Sequence, residues 1–287
     1  MNEPLIRACG LQHTYMAGTP LAVPALVGVN LEIAQGEAVG IVGPSGAGKS
    51  TLVQHLNGLL RPSARGQLWI DGADMADPAV DVRRLRRRVG LVFQRPEDQL
   101  FQPLVGDDIA FGPRQMGLPR GEVRERVRAA MEQVGLDFDA FKDRPILSLS
   151  GGERRRAAIA GVLALRPEVL IMDEATSGLD PRGRRGLLDL ARRLHHEEGK
   201  TVVLVASHME DLVGVVERVV VLAAGRSVLQ GGLREVLGAS GPWRAWGLEL
   251  PAMPALAGSL AGLGMPLDPL PLTVDEAEVA VAARWEA

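Results

Sequence analysis

The sequence predicts an α/β fold with one large domain and a small C-terminal extension, and three observations support this prediction. Three short apolar runs, at residues 38–42, 169–172 and 201–206, have the β-branched composition of buried parallel strands. The first run leads through a glycine-rich loop into residues 51–58, where apolar side chains recur at helical spacing. A chain of 287 residues is long enough for one such domain and an appended segment.

The part of the chain before these strands is expected to be rich in β-structure. Residues 5–15 and 26–33 have the composition of strands, and the segments 18–20 and 35–37 have that of turns. Tyr15 ends the first of these strands. It is either a packed aromatic residue or a ring that stacks on adenine, and its position alone favours packing.

A glycine-rich segment joins the first buried strand to the first helix, and it fits the pattern G-x-x-x-x-G-K-[ST] of a phosphate-binding P-loop. Glycines let backbone N–H groups close around a polyphosphate, and the positive end of the helix dipole faces the anion. Lys49 is expected to bind the β- and γ-phosphates, and the Ser50 hydroxyl to bind Mg²⁺. The candidate nucleotide-binding residues of this segment are Gly43, Pro44, Ser45, Gly46, Ala47, Gly48, Lys49, Ser50 and Thr51.

Further strands are predicted at residues 66–70 and 89–93, with an arginine-rich segment, residues 83–88, between them. Such a segment can bind anionic lipid or nucleic acid, but we favour a solvated helix face with one buried leucine. Gln94 follows the second strand, where a carboxamide either ligates Mg²⁺ and senses the γ-phosphate or does neither. A helix is predicted over residues 120–136, because apolar side chains fall on one face.

Small residues mark a second candidate anion-binding position. Ser150, Gly151 and Gly152 have the pattern of a helix N-terminus preceded by a capping serine. The apolar residues that follow continue this helix, and Arg166 and Pro167 are expected to end it. The segment therefore predicts a second place at which backbone N–H groups could face a phosphate.

Two adjacent carboxylates, Asp173 and Glu174, follow the second buried strand. Buried carboxylates are costly unless they are paired or used, and this edge of a parallel sheet faces the nucleotide in a P-loop protein. Asp173 is expected to be a direct or indirect Mg²⁺ partner. Glu174 is expected to position or deprotonate a water molecule.

The elements after Glu174 are predicted in the same way, from the strands and loops of this sheet. A loop at residues 177–181 leads into a helix that is expected to end near His196. His208 follows the third buried strand, where it either contacts the γ-phosphate or is an inert turn residue. In residues 231–287 the periodicity of apolar residues weakens. The only secondary-structure prediction there is an extended segment at residues 267–272. No role for this extension follows from its sequence.

Composition limits the classes of function. The net charge is -3, so no global basic field favours a nucleic-acid partner. Cys9 is the single cysteine, so no intrachain disulfide can form, and a reducing compartment is expected. No signal peptide and no apolar run of about 18 residues are visible, so we expect a membrane role only through a partner.

Over residues 5–230 the chain resembles the nucleotide-binding subunit of ATP-binding cassette (ABC) transporters. The resemblance rests on a set of motifs in this order: the P-loop, Gln94, residues 149–152, Asp173-Glu174, residues 177–180 and His208. The resemblance implies a mixed sheet core, an antiparallel N-terminal β part and a helical subdomain at about residues 96–155. It implies ATP and Mg²⁺ as cofactors and ATP hydrolysis as the activity. It implies that the Tyr15 ring stacks on adenine, that Gln94 is the glutamine of the Q-loop, that Glu174 is the catalytic base and that His208 is the switch residue. It also implies that Ser150, Gly151 and Gly152 belong to the signature, which grips ATP across a dimer. Glu153 stands where many members have glutamine.

A narrower resemblance is to the ATPase subunits of energy-coupling factor (ECF) importers. It rests on residues 57–59, 96–101, 108–113 and 158–164 and on the C-terminal extension. It implies uptake of a vitamin or of a transition-metal ion such as cobalt or nickel. The implied partners are a second, identical or related ATPase subunit, a membrane scaffold whose helices enter grooves near the Q-loop and Asp98, and a substrate-binding membrane subunit. The implied location is the cytoplasmic face of the membrane.

Two alternatives stay open: another class of ABC transporter, or a non-transport ABC ATPase that acts on ribosomes or chromosomes. Ribosome-acting members usually carry two cassettes in one chain, and this chain has one. Chromosome-type members insert a long heptad coil before the signature. Only about a hundred residues separate Lys49 from Ser150, and they contain no such coil. A P-loop kinase would leave the signature unexplained.

Overall fold

A computed structural model describes residues 3–239 and 241–285 and contains a six-stranded and a four-stranded sheet. The six-stranded sheet has the order β10-β9-β3-β8-β7-β6, in which only the β9–β10 pair is antiparallel. Its strands are β3 (Ala38–Val42), β6 (Val89–Val92), β7 (Val169–Asp173), β8 (Thr201–Ala206), β9 (Arg218–Ala223) and β10 (Arg226–Gly232). Every residue of β3, β7 and β8 is buried, as their continuous apolar runs predicted.

The four-stranded sheet is the predicted N-terminal β part, with the order β2-β1-β4-β5 and antiparallel pairing. Its strands are β1 (Ile6–Tyr15), β2 (Val23–Ile33), β4 (Leu68–Ile70) and β5 (Ala73–Asp74). The strand β2 begins before the predicted residue 26 and includes Pro24. A proline is tolerated there because β2 lies at the edge of this sheet.

Seven helices precede the C-terminal extension within the described residues. They are α1 (Lys49–Leu56), α2 (Val82–Arg88), α3 (Val105–Gln115), α4 (Arg120–Gln133), α5 (Phe138–Phe141), α6 (Gly151–Leu163) and α7 (Pro181–His196). The apolar side of α1 packs in one core with residues of both sheets, which fixes the P-loop at the carboxyl end of β3. The helices α3, α4 and α6 pack together in a second core, which also contains residues from the other face of the large sheet.

The arginine-rich segment forms α2, and the favoured interpretation is confirmed. Leu85 is the buried residue of this helix. Arg86 donates to the Gly58 carbonyl at 2.9 Å, and Arg88 forms ion pairs with Glu168 and Asp71. Arg86 and Arg88 therefore use their guanidinium groups for contacts within the chain.

The C-terminal extension is mostly helical, which its weak periodicity did not predict. It contains α8 (Leu233–Gly238), α9 (Ala252–Gly262) and α10 (Val274–Trp285), and residues 267–272 lie within the non-helical connection between the last two. Trp243 and Leu248 are buried in the core that the large domain shares with α3, α4 and α6. None of the helices in the described ranges has the length and apolar character needed to cross a membrane.

Candidate active site

The P-loop lies between β3 and α1, and two of its glycines are required by close backbone contacts. A Cβ on Gly43 would lie 2.3 Å from the Leu222 carbonyl oxygen, and one on Gly48 would lie 2.4 Å from that of Ala25. Gly48 also has φ +98°, which favours glycine. It precedes Lys49, the first residue of α1, and has no side chain to cap the N–H groups of the first turn. This loop has the geometry of a phosphate cradle.

Lys49 lies at the centre of the site and is only 4% exposed. Its ammonium donates to the carbonyls of Gly43 at 2.7 Å and Pro44 at 3.1 Å. The same nitrogen lies 2.9 Å from Glu174 Oε1. The structure therefore brings together the two residues to which the sequence assigned phosphate binding and water activation.

Glu174 directly follows β7 and has the unusual φ of 47°. Its Oε1 accepts a hydrogen bond from the Ser207 hydroxyl at 2.7 Å, and its Oε2 accepts one from the Gln94 amide at 3.1 Å. Burial acts to raise the pKa of this carboxyl, but the Ser207 and Lys49 hydrogen bonds and the Lys49 charge outweigh it and hold the pKa below its ordinary value. Glu174 is therefore an ionised and oriented carboxylate.

Asp173 is the last residue of β7 and is 4% exposed. Burial raises the pKa of its carboxyl, and the Ser50 hydroxyl partly opposes this rise. Its Oδ1 is buried and has no hydrogen-bond partner in the part of the chain that the structure describes. An unpaired buried carboxylate oxygen beside a serine hydroxyl suits a hard cation with oxygen ligands, so these residues fit Mg²⁺. No group of three His, Cys, Asp or Glu residues that could hold a metal occurs in residues 3–239 and 241–285, and a Mg²⁺ site completed by substrate phosphates does not need one.

Gln94 and His208 both lie on the edge of this site. The exposed Gln94 reaches Glu174, which places it with the candidate catalytic residues. His208 is also exposed, and it lies close enough for its charge to contribute to lowering the pKa of Glu174, although other causes are larger. A γ-phosphate bound at Lys49 would therefore lie near both side chains.

Tyr15 lies beside the P-loop helix. Its hydroxyl forms a hydrogen bond of 3.1 Å with Thr51 Oγ1, and the residue is 39% exposed. Its ring packs edge-on against His13, which packs in the same way against the buried His55 of α1. The residue is thus anchored by packing and still presents surface, so both interpretations of Tyr15 are compatible with its position.

The helix α6 begins after Ser150, as its sequence pattern predicted, and the structure adds that Ser150 caps it in a capping box. The Glu153 N–H donates to Ser150 Oγ at 3.3 Å, and the Ser150 N–H donates to Glu153 Oε2 at 2.7 Å. Ser150, Gly151 and Gly152 are exposed. The hydrogen bonds of this cap remain within the first turn of α6, so within the described chain the cap is not joined to the P-loop.

The structure also adds residues that the sequence did not single out. Ser207 holds Glu174, and its position after β8, at the same sheet edge as Glu174, was a signal that could have identified it. Arg155 makes three hydrogen bonds from α6 to loops around the site. Gly247 of the extension lies against the P-loop, because a Cβ added to it would be 3.1 Å from Pro44 Cβ. No local sequence pattern indicated either of these two long-range contacts.

Comparisons with known proteins agree with this geometry. The family model described as ABC transporter matches residues 26–177. The energy-coupling factor transporter ATP-binding protein EcfA2 of Symbiobacterium thermophilum is 49% identical over 94% of this chain and 93% of that protein. The protein of the same name from Clostridium perfringens is 43% identical over 96% of each chain.

Solved structures show the same fold. The protein cbiO1 from Clostridium perfringens, part of the ABC transporter complex cbiONQ, is 36% identical with a TM-score of 0.73, over 89% of this chain and 99% of that one. A dimeric ATP-binding cassette in a post-hydrolysis state with ADP and Pi is 30% identical with a TM-score of 0.71, over 80% of this chain and 99% of that one. Together with the P-loop and the Lys49–Glu174 site, these similarities show that the chain belongs to the ABC transporter family, as an ATP-hydrolysing subunit of the energy-coupling factor type.

Proposed function

We propose that this chain uses Glu174 as the catalytic base of ATP hydrolysis and couples the closing and opening of an ATPase dimer to uptake of a vitamin or a transition-metal ion. The single observation that supports this proposal most is the arrangement around Glu174. Its carboxylate is held by Ser207 and Gln94 and lies 2.9 Å from the Lys49 ammonium. A carboxylate fixed at the phosphate-binding loop is suited to orienting a water molecule and accepting its proton.

The P-loop residues from Gly43 to Thr51 are the proposed phosphate site. The N–H groups at the start of α1 and the Lys49 ammonium bind phosphate oxygens, and Tyr15 stacks on the adenine. Ser50, Asp173 and Gln94 are the proposed Mg²⁺ ligands, and this ion, when bound, neutralises phosphate charge. His208 and Gln94 lie at the edge of the site where they would contact the γ-phosphate and the water.

The second half of each ATP site is proposed to come from another ATPase subunit, identical or related to this one. Ser150, Gly151 and Gly152 are exposed at the N-terminus of α6, where N–H groups and the helix dipole favour an anion. In a head-to-tail dimer this signature covers the γ-phosphate held by the partner's P-loop. Removal of that phosphate weakens the contact between subunits, so the dimer opens. The dimeric state of the solved cassette with ADP and Pi supports this arrangement.

The proposed membrane partners dock beside Gln94, and the proposed location of the chain is the cytoplasmic face of the membrane. Phe101 and Phe111 pack edge-to-face with ring centres 4.9 Å apart, and they are 60% and 41% exposed. Asp108 accepts hydrogen bonds from the Phe101 and Gln102 N–H groups, which holds this aromatic pair in place. Asp98 lies nearby in the chain and is exposed. An apolar pair rimmed by polar groups suits a membrane scaffold's helix, and a separate membrane subunit would carry the substrate.

The experiment replaces Glu174 with Gln, which keeps the side-chain shape and removes its ability to accept a proton. We expect the variant to bind ATP, to dimerise with it, and to hydrolyse it at least about a hundredfold more slowly than the unaltered chain. Light scattering measures the dimer and phosphate release measures turnover. Glu132→Gln, on the exposed side of α4, is the matched control and should behave as the unaltered chain does. Hydrolysis at the unaltered rate in Glu174→Gln would show that the base is another residue.

A further inference from the structure

The side chain of Arg155 is buried and forms hydrogen bonds with three separate segments of the chain. It lies on α6, five residues after the signature serine Ser150, and is 7% exposed. Its Nη2 donates to the Gln94 carbonyl at 3.0 Å and its Nη1 to the Ser177 carbonyl at 2.8 Å. Its Nε donates to Glu97 at 3.2 Å. The guanidinium thus joins the signature helix to the Gln94 loop and to the loop before α7.

Both loops held by Arg155 also hold Glu174, so the four residues form a closed ring of hydrogen bonds. The Gln94 amide donates to Glu174 Oε2 at 3.1 Å. The Ser177 N–H donates to the Glu174 backbone carbonyl at 2.9 Å. Arg155 completes the ring through the carbonyls of Gln94 and Ser177. The Gln94 loop therefore contacts the side chain of Glu174, the Ser177 loop contacts its backbone, and Arg155 joins the two loops.

The chemistry of this position requires a guanidinium. A buried cation is costly unless it is paired and hydrogen-bonded, and each of the three guanidinium nitrogens of Arg155 has a partner, one carboxylate and two carbonyls. A planar fork can span three segments at once, whereas a lysine ammonium is a point charge on a flexible stem. A lysine at this position would retain the charge and lose the simultaneous contacts.

We propose that Arg155 is a positioning residue that couples the two ATP sites of the dimer through the orientation of Glu174. The inference rests on the proposed function, in which Ser150 of one subunit grips the ATP of the other. The helix α6 carries Ser150 at its N-terminus and Arg155 about 7 Å further along its axis. Engagement of the partner's nucleotide at Ser150 therefore moves, through Arg155, the loops that hold Glu174 in its own site.

The test measures the rate of ATP hydrolysis against ATP concentration for Arg155→Lys, Arg155→Gln and the unaltered full-length chain. We expect kcat per folded molecule to fall about tenfold to a hundredfold, because small displacements of a catalytic group are costly. We expect KM for ATP to change by less than about twofold, because Arg155 has no hydrogen bond to the P-loop in the described chain. The Hill coefficient for ATP should fall from above 1 to about 1.

The control is Arg156→Gln, which makes the same change at the next residue of α6, where the side chain is exposed. It should leave kcat and the Hill coefficient unchanged. A merely structural role for Arg155 would lower the melting temperature and the folded fraction, but it would leave the Hill coefficient of the folded molecules unaltered. If both Arg155 variants fail to fold, Glu97→Gln weakens one anchor of the guanidinium and should give a smaller loss of kcat and of cooperativity.

Two outcomes would overturn the inference: an unaltered Hill coefficient in the folded variants, whatever their kcat, or a Hill coefficient of 1 in the unaltered chain. Failure of the proposed function has a different result. In that case Glu174→Gln would not dimerise with ATP at all, whatever Arg155 does. A Glu174→Gln variant that dimerises, together with fully active Arg155 variants, would overturn the coupling role alone.

Discussion

The Lys49 ammonium and the Glu174 carboxylate lie 2.9 Å apart, with side-chain exposures of 4% and 17%. Two opposite charges in such a partly buried position stabilise each other only as a pair, and removing one leaves the other uncompensated. A polyphosphate that enters the P-loop brings negative charge to the same ammonium.

The first prediction concerns Lys49. Replacing it with Ala removes the phosphate-binding cation and leaves Glu174 without its ion-pair partner. We expect the rate of ATP hydrolysis to fall about a hundredfold or more, because the loss of one oriented group that stabilises transition-state charge has an effect of this size. Phosphate release measures it. Lys200→Ala, at one of the two other lysine positions, is the control, and hydrolysis at the unaltered rate in Lys49→Ala would contradict the proposed phosphate cradle.

The second prediction separates the two interpretations of Tyr15. Tyr15→Phe keeps the ring and removes only the hydrogen bond to Thr51, whereas Tyr15→Leu removes the ring. If the ring stacks on adenine, the Leu variant should lose about 1–3 kcal/mol of ATP binding, or roughly fivefold to 150-fold in affinity. The Phe variant should bind within about threefold of the unaltered chain. Equilibrium binding of a fluorescent ATP analogue distinguishes them, and equal affinities for all three chains would mean that Tyr15 only packs.

The third prediction is an acid sensitivity caused by His55. The ring is fully buried, and neither of its nitrogens has a hydrogen-bond partner in the described part of the chain. Burial, and secondarily the charge of His13, lowers the pKa of His55 from 6.5 to about 4. Because the unfolded chain binds this proton more readily, the stability contributed by neutral His55 is present above pH 6.5 and is lost as the pH falls toward 4.

His55→Leu removes that titration and keeps an apolar side chain in the core. Between pH 7.5 and pH 5, the unaltered chain should lose about 2 kcal/mol more unfolding free energy than the variant, as one proton linked over about 1.5 pH units requires. Urea unfolding at the two pH values measures this difference. Parallel losses in both chains would show that His55 is not the source of acid sensitivity.

The fourth prediction concerns the aromatic pair Phe101 and Phe111. Replacing both with Ser should abolish co-purification with integral membrane proteins from detergent-solubilised membranes, because the exposed apolar contact surface is lost. Basal ATP hydrolysis should remain within about twofold of the unaltered chain, because the two rings pack on each other and neither belongs to the site around Lys49 and Glu174.

Leu21→Ser, in the turn between β1 and β2, is the control for loss of an exposed apolar side chain. It should leave the membrane partners bound. Retention of those partners by the doubly substituted chain would contradict docking at this pair, and recovery of ribosomes or DNA instead would favour the non-transport alternative.

Much of the site was predictable because its residues directly follow buried strands. Asp173 ends β7, Glu174 follows it directly, and His208 follows β8 after one residue, so knowledge of the strands was enough to place these side chains at one edge. The helix cap at Ser150 was also predictable, because capping depends on residues three positions apart. The helices of the C-terminal extension were not predictable in this way, since their apolar residues do not keep a clear helical period.

The sequence alone determined the P-loop, the order of the strands along the chain and the residue types available for phosphate and water chemistry, because each of these depends on neighbours within a few positions. Only the tertiary structure decided which of those residues meet. Arg155 contacts Gln94 across 61 positions, and Gln94 contacts Glu174 across 80. Such contacts arise from the packing of helices onto a sheet, and no local pattern encodes which distant carbonyl a buried guanidinium will reach.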